Sequence, residues 1–134
     1  MRLPRKGRIL VLGVAGVLLL SGIAQAHTVT YETSLSISAS PSGILAPNTR
    51  VTFSGKLSSE KAACRRHSSV SLIKKGEGVV DTTKTDHGKY KFRVKVNETA
   101  KWLVKFSGKV LNAVHPHNHV CGSSKSKRIR VRVS

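Results

Sequence analysis

Lys89-Tyr90-Lys91-Phe92-Arg93-Val94-Lys95-Val96 alternates without a fault, with Tyr90, Phe92, Val94 and Val96 on one side and Lys89, Lys91, Arg93 and Lys95 on the other. Successive side chains of a strand point to opposite faces, so the octet predicts a strand with one face in a core and one in water. Such a half-buried strand belongs to an antiparallel sheet, because parallel strands are usually covered on both faces.

The same pattern recurs on both sides of this octet. Upstream, Leu35, Ile37 and Ala39 alternate with serines until Ser40-Pro41-Ser42-Gly43 ends the run. Ala46-Pro47-Asn48 is a turn, and Val51, Phe53, Gly55 and Leu57 then share one face. Val70 and Leu72 mark a third strand, closed by Lys74-Lys75-Gly76-Glu77-Gly78, and a weaker run, Val79 to Thr85, leads into the turn Asp86-His87-Gly88. Downstream, Trp102, Val104 and Phe106 face inward with Lys101 and Lys105 outward, and Ile129, Val131 and Val133 stand opposite Arg128, Arg130 and Arg132. Gly, Pro, Asn and Ser clusters separate the runs, as turns require. After residue 26 no window has helical periodicity. About seven short strands of this kind predict an all-β chain, an immunoglobulin-like antiparallel β-sandwich. A small barrel is the alternative. Trp102 lies in a late strand, so the Cys-Trp-Cys order of antibody domains is missing.

Residues 1–26 have the composition of an export signal. Arg2, Arg5, Lys6 and Arg8 precede an apolar run from Ile9 to Leu20, and the stretch ends in Ala24-Gln25-Ala26. Small residues at −3 and −1 predict cleavage between Ala26 and His27. The apolar run is short of the ~20 residues that span a bilayer, which disfavours an uncleaved anchor. The expected organisation is a signal peptide (1–26), a mature N-terminal segment (27–32) and a sandwich domain (33–134). The mature protein is then secreted, with no transmembrane anchor after cleavage.

The 134 residues carry 24 Lys+Arg and six Asp+Glu, a formal charge of +18. Removing the leader with its four cations leaves 108 residues and +14. A charge of that size favours polyanionic partners: an acidic cell-wall polymer, an anionic glycan, lipid headgroups or nucleic acid. Cys64 and Cys121 are the two cysteines. In an exported chain they predict one disulfide.

Three stretches carry a resemblance: Ser34 to Pro41 (SLSISASP), Arg50 to Leu57 (RVTFSGKL) and Thr83 to Phe92 (TKTDHGKYKF). They resemble secreted bacterial Ig-like domains of the actinobacterial surface-protein type. Thr85, Asp86, Gly88, Tyr90 and Phe92 match that family's hairpin with one fewer turn residue, and Ser126, Ile129 and Val131 match its last strand. A Cys before the third strand and another before the last also fit disulfide-bearing members. The resemblance implies a β-sandwich with a structural, adhesive or binding role and no catalytic residues.

The outward cations Lys89, Lys91, Arg93, Lys95, Lys105, Arg128, Arg130 and Arg132 are the candidate polyanion-binding set. Alternatively they are a solvated surface that keeps edge strands from pairing. A sandwich would divide them between sheets. Sequence-specific nucleic-acid reading is not expected, since no helix is available to enter a groove and the aromatics face inward. A second candidate is His115-Pro116-His117-Asn118-His119, read as a loop because of Pro116. With His27, a new N-terminus after cleavage, His115, His117 and His119 could hold copper or zinc. That makes an extracellular metal-binding protein the alternative function. Asp86 and His87 are adjacent and expected to point apart. No serine has a nucleophile-elbow context, so no enzyme activity is expected, and no resident cofactor. Nothing in the sequence sets an oligomeric state.

Overall fold

The computed structural model describes residues 27–112 and 117–134. The expected signal peptide (1–26), with the expected junction residue Ala26, and His115 lie outside the described residues. In chain order the strands begin with β1 (His27–Tyr31), β2 (Ser34–Leu35), β3 (Ser38–Ser40), β4 (Ile44–Leu45) and β5 (Thr49–Ser58). One helical turn, α1 (Ala62–Arg65), follows, and then β6 (Ser69–Lys74), β7 (Gly78–Lys84), β8 (Lys89–Val96) and β9 (Ala100–Phe106). The last are β10 (Lys109–Asn112), β11 (His117–Cys121), β12 (Ser124–Lys125) and β13 (Ile129–Val133).

These strands form three sheets, and the topology is β-sandwich-like. In the first, β2 and β3 both pair antiparallel with one edge of β5, and β8 pairs with its other edge. The second runs β4-β13-β9-β6-β7, with β12 also on β9. A third, smaller sheet runs β10-β11-β1. The first two pack face to face through residues marked by alternation. Val51, Phe53, Phe92 and Val96 come from one sheet, and Val70, Leu72, Trp102, Val104 and Phe106 from the other; all are buried. Phe53 and Trp102 meet with ring centroids 4.9 Å apart. Leu35, Ala39, Val94, Ile129 and Val133 pack around this cluster.

Sequence pattern and structure differ at four places. Two pairings are parallel, β1 with β11 and β4 with β13, so the third and second sheets are mixed and only the first is wholly antiparallel. Segment 27–32 contains a strand, and the expected His-rich loop is a strand from His117 onward. Proline cannot donate to a ladder, but His117, the residue after Pro116, is paired with His27 of β1. A helical turn lies at Ala62–Arg65, too short to produce a periodic signal.

Local chemistry explains the breaks in the strands. At Gly55 a Cβ would lie 2.1 Å from the Ser36 carbonyl oxygen and 2.7 Å from the Tyr90 hydroxyl, so only glycine admits this approach. The Tyr90 hydroxyl donates to that same Ser36 carbonyl, and burial pushes its pKa up. His87 and Gly88 both have positive φ, 52° and 86°. They form a two-residue loop closed by Asp86 and Lys89, each donating its N–H to the other's carbonyl. Consecutive positive φ values twist such a loop in the sense a hairpin needs. Ser126 separates β12 from β13: its hydroxyl accepts from the Val104 N–H at 2.9 Å and donates to the Lys127 carbonyl.

A polar knot joins the third sheet to the sandwich. Cys64 in α1 is bonded to Cys121 at the end of β11, and both are buried. The carbonyls of this short turn have no helical partners, so side chains satisfy them. Lys109 donates to Ala63 and Arg66, Ser68 to Cys64, and Thr85 to Arg65. Thr85 also accepts from the Ser68 N–H at 2.9 Å. Burial holds the Lys109 pKa below its ordinary value, helped by the nearby charges of Arg66 and Lys84.

Candidate functional site

The outward cations divide between the outer faces of the two main sheets. On the first, Lys89, Lys91, Arg93 and Lys95 project from β8, away from the buried Tyr90, Phe92 and Val96. Alternate residues of a strand are about 7 Å apart, so the four form a row about 20 Å long. The register adds two cations that sequence reasoning missed: Arg50 lies opposite Lys95 and Lys56 opposite Lys89. Between them Thr52 faces Arg93 and Ser54 faces Lys91, and Ser38 and Ser40 continue the hydroxyl surface on β3. No Asp or Glu occurs in β2, β3, β5 or β8. Arg50 and Lys56 were visible in principle, since each has the parity opposite to Val51, Phe53 and Leu57. What the sequence lacks is the pairing that sets them against Lys95 and Lys89.

Like charges directly opposite on neighbouring strands destabilise a sheet. The first sheet carries two such pairs and no carboxylate among its strands. A surface selected only for solubility would intersperse the signs.

On the second sheet the outward residues include Lys105, Arg130 and Arg132, with Lys125 opposite Lys105 and Lys101 opposite Arg130. Arg128 lies in the loop before β13. Here the surface is concave: a cleft of about 690 Å³ has Ile73 and Leu103 among its apolar lining and is rimmed by Lys75, Lys105, Lys125, Lys127 and Arg128. Lys74 and Glu77 also line it, and Lys74 is neutralised there, 2.7 Å from Glu98 and 3.4 Å from Glu77. The hydrogen bond to Glu98 raises the Lys74 pKa and lowers that of Glu98. Among the described residues, none of the other rim cations has a carboxylate within ion-pair distance. Lys75, Lys125 and Lys127 were outside the expected set because they lie in turns and a two-residue strand, where alternation gives no direction.

The histidines gather on the third sheet. The parallel register of β1 and β11 sets His27 beside His117 and Val29 beside His119. The His27 and His117 rings stack with centroids 5.5 Å apart and an interplanar angle of 18°. His119 Nδ1 is 3.2 Å from the Tyr31 hydroxyl. Three of the four expected ligands are thus neighbours, and the fourth, His115, lies outside the described residues. Among the described residues, no group of three or more His, Cys, Asp or Glu side chains is placed to hold a metal ion. His27 was linked to this tract only as a chain end; the alternation His27-Thr28-Val29-Thr30-Tyr31 was the signal that could have placed it on a strand.

Asp86 and His87, expected to point apart, are instead hydrogen-bonded at 2.8 Å, with both side chains exposed to solvent.

No protein-family model matches the chain, and no curated protein matches it. Among solved structures, it is similar to the sulfur carrier protein SoxY from Chlorobium limicola f thiosulfatophilum, with 14% identity, a TM-score of 0.44, and coverage of 84% of this chain and 87% of that one. Likeness at that level defines neither a family nor an activity. Among the described residues no helix is long and apolar enough to cross a membrane.

Proposed function

We propose that this chain is a secreted, non-catalytic domain of immunoglobulin-like sandwich type that binds an anionic polymer, a cell-wall polymer or a glycan, at an extracellular surface. The observation that carries the reading is the outer face of the first sheet. Six cations stand there among serines and threonines, Arg50 and Lys56 lie directly against Lys95 and Lys89, and the strands contain no acid. A linear polyanion laid along β8 relieves that repulsion and releases its own counterions. Binding therefore stabilises the fold, since the ligand engages the native arrangement preferentially.

The test is elution from heparin and from immobilised linear polyphosphate in a salt gradient. Replacing Arg50, Lys56, Lys89, Lys91, Arg93 and Lys95 with Gln should lower the eluting salt further than removing six cations at scattered positions. Equal losses from the two sets would reduce the interaction to net charge and end the reading.

The stacked His27 and His117 support a second reading, an extracellular copper or zinc site. If export exposes His27 as the N-terminus, its amino group and Nδ1 can chelate one ion while His117 offers a third nitrogen. Calorimetric titration with Cu²⁺ should show binding tighter than about 10 μM. That affinity should disappear when Ala26 is retained or in His117→Ala. Equal affinity in all three proteins would remove this site.

A further inference from the structure

We infer that one molecule bridges two separate polyanion chains, one on the outer face of each main sheet. The inference rests on the polyanion reading and extends it from one surface to two.

The two basic surfaces face away from each other because the aromatic core lies between them. Phe53 of the first sheet touches Trp102 of the second, so the outward residues of β8 and of β9 point to opposite sides. Packed sheets are about 10 Å apart. With a layer of long side chains on each side, the two planes of charge are separated by about 20 Å, beyond the Debye length of about 8 Å at physiological ionic strength. A polymer bound on one face therefore leaves the potential at the other almost unchanged.

Each face also has its own free cations. Lys89, Lys91, Arg93 and Lys95 form a flat row on the first, and Lys75, Lys105, Lys125 and Lys127 surround the cleft on the second. Their shapes differ, a flat row against a hollow with Ile73 and Leu103 in its lining, so the two faces need not grip a chain equally well. Two independent sites on a rigid body convert binding into cross-linking, with the avidity that multivalency brings.

The experiment uses the exported protein with linear polyphosphate, short chains for stoichiometry and long chains for cross-linking. Sedimentation should give two short chains per wild-type molecule, and long chains should form turbid networks. Two variants lose equal charge: Lys89, Lys91, Arg93 and Lys95 to Gln on the first face, or Lys75, Lys105, Lys125 and Lys127 to Gln on the second. Each should bind one short chain and form no network. A third variant, with Lys89, Lys91, Lys125 and Lys127 to Gln, loses the same charge from both faces and should still form networks at reduced salt. If wild type binds one short chain, or if all three variants lose cross-linking alike, bridging is wrong and the polyanion reading survives. If wild type binds none, the polyanion reading itself falls.

Discussion

The sandwich and the small third sheet are held together by different means. Between the two main sheets the contact is apolar: Phe53 on Trp102, with Val51, Leu72, Val104 and Phe106 around them, all buried. The third sheet carries His27, His117 and His119 at one end; Tyr31 and Leu111 pack against the core, and the rest of its connection runs through the Cys64–Cys121 bond and the polar knot of Thr85, Ser68 and Lys109. Burial of apolar area is cooperative over the whole interface. A covalent tether with a few hydrogen bonds is local, so damage there should stay local.

The largest effect should come from the sandwich. Phe53→Ala opens a cavity at the centre of the interface and should cost about 3–5 kcal/mol in denaturant unfolding. Its transition should remain single, because both sheets lose the same contact. Next, replacing Cys64 and Cys121 with Ser should cost about 2–4 kcal/mol. Here the distribution matters more than the sum: by hydrogen exchange, amides of β1, β10 and β11 should lose protection while β5 and β8 keep theirs. Equal loss in both regions would erase the distinction. Thr85→Val leaves the Ser68 N–H and the Arg65 carbonyl without their partner, at a cost of about 2 kcal/mol. It should also loosen β11 more than β8.

The smallest effect belongs to the exposed pair at the cleft. Glu98 is held below its ordinary pKa of 4.5 by Lys74, so its contribution is present above that pH and is lost as pH falls through the folded-state value. Glu98→Gln should lower Tm slightly at pH 7 and match wild type in strong acid. A gap that persists in acid would mean the side chain acts through packing instead of charge.

The contrast also accounts for what could be read in advance. Where burial on one face makes a strand, parity marks its side: Tyr90, Phe92, Val51, Phe53, Trp102 and Val104 all point inward as alternation required. The cysteine pair was legible because two cysteines allow one bond. Hydrogen-bonded connections leave no such trace. Nothing in Thr85 or Ser68 distinguishes a buried knot from an ordinary turn residue, and Ile44–Leu45 is too short for any period. The basic set was legible as outward residues divided between sheets, but not which cation lies on which sheet, because sheet membership depends on pairings between distant segments. For the same reason Arg50 and Lys56 do not stand out, whereas the loop expected at His115–His119 rests on Pro116, and β1 supplies the partner that makes a strand from His117 onward.

The position of β13 has a kinetic consequence. It is the final strand in the sequence, yet it sits between β4 and β9, with Arg132 beside Ile44 and Arg130 beside Lys101. Until it arrives, β4 has no partner and the second sheet lacks its connecting piece. Contacts between segments so far apart slow folding, because a long loop must close before they form. Completion of the second sheet therefore waits for residues 129–133: before they dock, β4 is unpaired and one edge of β9 is bare along Ala100–Trp102.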